Sequence, residues 1–164
     1  MDQKKKMAIL HLLHEDAHRS IDTLSVMVGE PKEEVTKAIA ELEKSGVIVR
    51  YGAIVNWDKA DSSRVTAVID VKVTPQRELG FDAIAERIYR FKEVVSVALM
   101  SGSYDLQVIV EGRKIQEVAQ FVSEKLSTIE NVTSTTTQFR LKTYKFDGII
   151  FDDHEGDQRL VVAP

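Results

Sequence analysis

The chain contains no cysteine. That absence removes disulfide scaffolds, thiolate catalysis, Cys-ligated zinc and iron–sulfur clusters together. Proline is also scarce, with three in 164 residues, while 43% of the residues are hydrophobic. Such a chain buries a core and is not a disordered polymer. No apolar run approaches the roughly 18 residues that cross a bilayer. The start, Met1-Asp2-Gln3-Lys4-Lys5-Lys6, has the basic character of a secretory leader, but His11, His14, Glu15 and Asp16 interrupt the apolar stretch after it. The expectation is a cytoplasmic protein with no membrane partner. Catalytic groupings are missing as well: no Ser-His-acid set, phosphate-cradling glycine loop or paired-carboxylate motif stands out. No catalytic residue, cofactor or resident metal is therefore expected.

Positive charge is in short supply overall, with 22 Lys+Arg against 26 Asp+Glu and a formal net charge of −4. Nucleic-acid binders are usually basic where they touch phosphate. The deficit is local, however. Residues 1–64 carry 10 basic and 11 acidic side chains, residues 65–144 carry 10 and 10, and residues 145–164 carry 2 and 5. Most of the acidity sits in the tail.

What is present divides into two modules. Met7, Leu10, Leu13 and Ala17 form a helical stripe over residues 3 to about 16. Ser20 or Asp22 caps a second short helix through Leu24 and Val28, which Gly29 ends. Pro31 suits the first turn of a third helix and Glu33-Glu34 its positive end, with Val35, Ile39 and Leu42 buried. Val47 to Tyr51 and Ala53 to Val55 then read as a small hairpin turning near Gly52. Three helices and a hairpin make a winged helix-turn-helix. From Arg64 the period changes to two, with Val65, Ala67, Ile69, Val71 and Val73 on one face. A helix over Phe81 to Phe91 follows, burying Ile84, Ile88 and Phe91, then strands Val94 to Met100 and Tyr104 to Val110 joined at Ser101-Gly102-Ser103. A helix after Gly112 carries Ile115, Val118, Ala119, Val122 and Leu126, and a Thr-rich strand runs from Val132 to Tyr144. The fold class is α+β, a winged helix-turn-helix followed by a ferredoxin-like βαββαβ sandwich. The expected boundaries are 1–55 for the first domain, 56–63 for a linker, 64–146 for the second domain and 147–164 for an acidic extension.

The third helix carries the case for DNA. With its apolar stripe inward, Glu33, Thr36, Lys37, Ala40 and Lys44 point outward, and Lys32 lies in the first turn. A recognition helix needs small polar residues for base edges and cations for phosphate. Thr36 and Lys37 fit, Ala40 suits a thymine methyl and Glu33 a cytosine. Arg50 on the wing, with Lys4, Lys5 and Lys6, adds phosphate contacts. The alternative is a protein-interaction module with ordinary solvated charges. His11, His14 and His18 share one helix face, a pattern that three imidazoles binding zinc would use but that solvated histidines show more commonly. Asp152-Asp153-His154-Glu155-Gly156-Asp157 lacks the spacing of a calcium loop and reads as solvated acid. Leu160-Val161-Val162 is apolar enough to dock on the body or on a neighbouring subunit.

The chain resembles the Lrp/AsnC (feast/famine) transcription regulators. The matching stretches are Met7 to Ala17, Leu42 to Ile48, Leu99 to Leu106 and Val132 to Thr137, the third being the most specific because glycine, Tyr104 and Asp105 come together at the hairpin. The resemblance implies a double-stranded DNA partner, a homo-oligomer built from dimers, and a small-molecule effector such as an amino acid at a dimer–dimer contact. It places that effector at Met100, Ser101, Gly102, Ser103, Tyr104 and Asp105, with Thr135 and Thr137 as the other wall. Backbone N–H groups of the loop would take a carboxylate, and Asp105 an ammonium. Equally, Gly102 simply turns the hairpin, Tyr104 packs and Asp105 caps the turn. The family's recognition helix usually carries several arginines, where this chain has Lys37, Ala38, Ala40 and Glu41, so weak-to-moderate DNA binding that depends on oligomerisation is expected. Two alternatives remain: a DNA-free co-regulator of the same fold, and an enzyme similar to tetrapyrrole decarboxylases of like layout.

Overall fold

A computed structural model describes residues 1–74 and 80–151. The tail motifs from Asp152 onward and Pro75 lie outside the described residues. The chain divides into two compact units, Met1–Val55 and the remainder from Asn56.

The first unit is three helices, α1 (Gln3–Glu15), α2 (Ile21–Val28) and α3 (Lys32–Lys44). Asp2 caps α1 by accepting from the Lys5 N–H, and Ser20 caps α2 by accepting from the Thr23 N–H. Gly29 ends α2 in the left-handed region at φ 69°, a conformation glycine adopts without Cβ strain. Pro31 then sits at the start of α3, where its missing N–H costs nothing. Ile9, Leu13, Leu24, Val35 and Ala38 form the core. The stripe expected on α1 is rotated: Ile9 and Leu13 are buried, whereas Met7 is 43% exposed. Residues 7 to 13 are apolar nearly all round the helix, so periodicity leaves the phase to packing.

The expected hairpin of the wing is absent from the ladders of the described residues. The N–H groups of Val47 and Ile48 instead both donate to the Leu42 carbonyl, closing α3 after Gly46. The Tyr51 hydroxyl donates to Glu43 at 2.8 Å, and Val49 is 86% exposed. Two short strands with no third element on one face are marginal in water, which accounts for an extended but unpaired segment.

The second unit begins at the expected linker. Asn56 caps a single turn, α4 (Trp57–Ala60), and the Arg64 guanidinium lies 4.1 Å from the Trp57 ring centre. Residues 56–63 thus contain ordered secondary structure. Then follow β1 (Val65–Val73), α5 (Asp82–Tyr89), β2 (Val94–Leu99), β3 (Leu106–Gly112), α6 (Ile115–Phe121) continued by a π-turn (Val122–Leu126), and β4 (Val132–Phe139). The sheet order is β2-β3-β1-β4, antiparallel throughout, as a ferredoxin-like βαββαβ chain requires. Alternation buries Ala67, Ile69, Val71 and Val73 of β1 beneath the helices, together with Leu106, Val108 and Val110 of β3. Ile84, Ile88, Val118, Phe121, Leu126 and Ile129 complete this core, and the Phe91 and Phe121 rings meet edge-to-face at 5.5 Å.

Two expectations change here. Ile115 is 54% exposed and Ala119 is exposed, while Phe121 is buried. In an uninterrupted α-helix, positions 118, 121 and 125 share a face, which would push Lys125 inward. The π-turn adds one residue to that turn, so Leu126 enters the core and Lys125 stays at the rim. The last strand also stops at Phe139 rather than Tyr144. A separate two-stranded hairpin, β5 (Lys145–Phe146) and β6 (Ile149–Ile150), follows it.

Candidate functional site

On α3, Lys32, Glu33, Thr36, Lys37, Ala40 and Lys44 are all exposed, as is Arg50 beyond it. They follow from the burial of Val35, Ala38 and Leu42 on the opposite side. Thr36 donates to the Lys32 carbonyl at 2.8 Å, and Lys32 pairs with Asp22 at 2.6 Å. Lys37, Lys44 and Arg50 form no ion pair among the described residues, and neither does Glu33.

The acids around this helix are largely neutralised from within the unit. Glu41 pairs with Lys6 at 2.7 Å, Glu30 with Lys5 at 2.6 Å, and Glu34 lies 3.7 Å from the amino terminus. The Lys6 hydrogen bond holds the Glu41 carboxyl below the usual carboxylate range, and the Glu30 hydrogen bond raises the Lys5 ammonium above its ordinary value. Lys5 and Lys6, expected as phosphate contacts, are occupied by acids of their own domain instead. What remains unpaired on the outward face is two lysines of α3, Arg50 and one glutamate. His11, His14 and His18 belong to no grouping of three or more His, Cys, Asp or Glu that would hold a metal among the described residues.

In the second unit, residues 100 to 105 form the loop between β2 and β3. The Met100 N–H donates to the Asp105 carbonyl at 2.8 Å and closes it. Gly102 has φ 151°, with no atom within 4 Å of where a Cβ would stand, so its backbone is open to approach. Asp105 is engaged: its Oδ2 accepts from the Val73 N–H at 2.9 Å, and its own N–H donates to the Val71 carbonyl. This is the turn-anchoring role, and it leaves the second carboxylate oxygen for any other donor. The Tyr104 and Thr136 hydroxyls lie 2.9 Å apart.

Sequence reasoning named Thr135 and Thr137 and missed Thr136. Thr135 pairs with Val71 and Thr137 with Ile69, which are buried, so both face the helix layer, and the Thr135 hydroxyl lies 3.4 Å from that of Ser127. Thr136 pairs with Asp70 on the opposite, uncovered face. The period of two was legible in the sequence, but which parity faced the loop was not. The uncovered face also carries Thr66, Val68 and Ile109, each half-buried.

No helix among the described residues is long and apolar enough to cross a membrane. Residues 66–150 match the family model for the Lrp/AsnC ligand-binding domain. The chain is 51% identical over 162 residues to the uncharacterised HTH-type transcriptional regulator YugG of Bacillus subtilis, with 98% of each chain covered. Among solved structures, AsnC of Escherichia coli aligns with a TM-score of 0.69 at 18% identity, covering 89% of this chain and 96% of that one. The regulator NMB0573 of Neisseria meningitidis, solved as a complex with L-Met, aligns with a TM-score of 0.69 at 21% identity, covering 89% and 93%.

Proposed function

The chain belongs to the Lrp/AsnC family of transcriptional regulators, and from that premise we propose that it binds double-stranded DNA through α3 as a homo-oligomer tuned by an amino acid at the 100–105 loop. As a regulator it is not an enzyme, which removes the tetrapyrrole decarboxylase alternative. The observation that carries the DNA reading is the internal pairing of Glu30, Glu34 and Glu41. With those acids paired, Lys37 and Lys44, seven residues apart and so on one helix face, meet phosphate with Glu33 as the one unpaired acid beside them among the described residues. Two cations per helix give modest affinity, and a dimer that presents two helices multiplies it.

Helices cover one face of the four-stranded sheet, and the other face, with Val68, Ile109, Thr66 and Thr136, is the surface on which two copies would pair. The loop reading draws support from the open backbone at Gly102 and from the L-Met complex of the Neisseria regulator. An effector at the contact between dimers would shift the assembly and hence the spacing of recognition helices.

The test is fluorescence anisotropy on the protein's own promoter DNA across a salt series, with light scattering in the presence and absence of amino acids. Affinity that falls with salt and an assembly size that responds to one amino acid are expected. Absence of binding at low salt would overturn the DNA reading in favour of a DNA-free co-regulator.

A further inference from the structure

A cavity of about 570 Å³ opens beside the far ends of β2 and β3, bounded by α6 and its π-turn. It stands roughly six residues along the strands from the 100–105 loop, about 20 Å at the usual rise per residue. Its volume lies within the range of small-molecule sites. The floor is apolar, from Val110, Val118 and Phe121. The rim carries Glu111, Glu117 and Glu124, which are held by Arg64, the Arg113 N–H and Gln120, together with Lys92 and Arg113, whose side chains form no ion pair among the described residues.

The third feature is Glu93. One oxygen takes the Lys125 ammonium at 2.7 Å, while Oε2 is buried and has no hydrogen-bond partner among the described residues. A buried acceptor left in that condition is costly, and a small rotation of the Glu93 side chain, which lines the cavity, would present it to a donor there. Two local devices keep the space open. The π-turn holds Lys125 at the rim rather than in the core. At Gly112, any Cβ would stand 3.3 Å from Val118 Cγ2 and 3.4 Å from Glu117 Oε2, so a side chain there would crowd the wall.

We propose that this cavity is a second ligand site, separate from the 100–105 loop, for a zwitterionic small metabolite with an apolar body, the chemistry of a free amino acid. Lys92 and Arg113 take the carboxylate, the Glu93 carboxylate takes the ammonium, and the side chain rests on Val110, Val118 and Phe121. A simple anion leaves Glu93 unsatisfied and a simple cation leaves Lys92 and Arg113 unmatched. The zwitterion answers both.

The experiment is titration calorimetry of the full chain with each of the twenty free amino acids, on the wild type, Glu93→Gln, the double variant Lys92→Ala/Arg113→Ala, and Asp105→Asn in the hairpin loop. The double variant changes only exposed side chains, so it remains informative if Glu93→Gln lowers the melting temperature. Expected is binding of at least one amino acid with an apolar side chain, weakened at least tenfold by both cavity variants and less than twofold by Asp105→Asn. The 2-oxo acid and the amine bearing that same side chain should each bind at least tenfold more weakly. No heat from any of the twenty overturns the inference. Losses in Asp105→Asn alone also overturn it, and they support the loop reading of the proposed function. Equal losses in all variants, or an oxo acid or amine that binds as tightly, overturn it too.

Discussion

The Tyr104 and Thr136 hydroxyls lie 2.9 Å apart, joining residues 32 positions apart in the chain. This bond ties the loop between β2 and β3 to the edge strand β4 and meets the sheet on its uncovered face.

Tyr104→Phe removes this bond and little else. Urea unfolding should show a loss of about 1 kcal/mol, the usual net value of a half-buried hydrogen bond. If the loop binds an effector, the affinity measured by calorimetry should fall along with it.

Asp105 holds the end of β1 through the Val73 N–H. Asp105→Ala leaves that donor unanswered and should cost about 1.5–3 kcal/mol, the range for hydrogen bonds to charged groups. Asp105→Asn, which keeps an acceptor, should recover most of the loss in the same denaturation series.

Lys37→Ala should weaken DNA binding and lower the slope of log affinity against log salt by about 0.9, the value of one phosphate contact. An unchanged slope in the anisotropy titration would mean that Lys37 does not meet the backbone.

Glu93 titrates below the ordinary glutamate range because the Lys125 hydrogen bond favours its charged form. A carboxyl with a depressed folded pKa contributes stability that is present above its unfolded value and lost as pH falls through the folded one. The stability gap between wild type and Lys125→Met should therefore be full near neutral pH and close on acidification below the usual carboxylate range, read from urea midpoints at each pH.

Ile88 is fully buried between α5 and the sheet. Ile88→Ala should destabilise the second unit by about 2–5 kcal/mol, through lost burial and a residual cavity. Calorimetric melting would register the change.

The local periods were enough to give the order of the three N-terminal helices and of the βαββαβ elements, though not the unpaired wing, the turn at Trp57–Ala60 or the last hairpin. The two-residue alternation of Val65 to Val73 and the α3 positions Val35 and Leu42 read directly as burial, because a single strand or helix turn imposes those spacings on its own residues. Gly29 and Ser20 likewise marked their helix ends by local backbone chemistry. Tertiary packing decided the rest. It chose Ile9 over Met7 as the inward side of α1, where the sequence is apolar all round. It set Lys5 against Glu30 and Lys6 against Glu41, 25 and 35 residues apart, so that acids on and just before α3 are paired by groups no local pattern associates with them. The same packing turned Thr136 rather than Thr135 toward Tyr104, and it inserted the π-turn that exchanged Lys125 for Leu126 in the core. Spacing is a property of one element, whereas phase and partner are set by what lies against it.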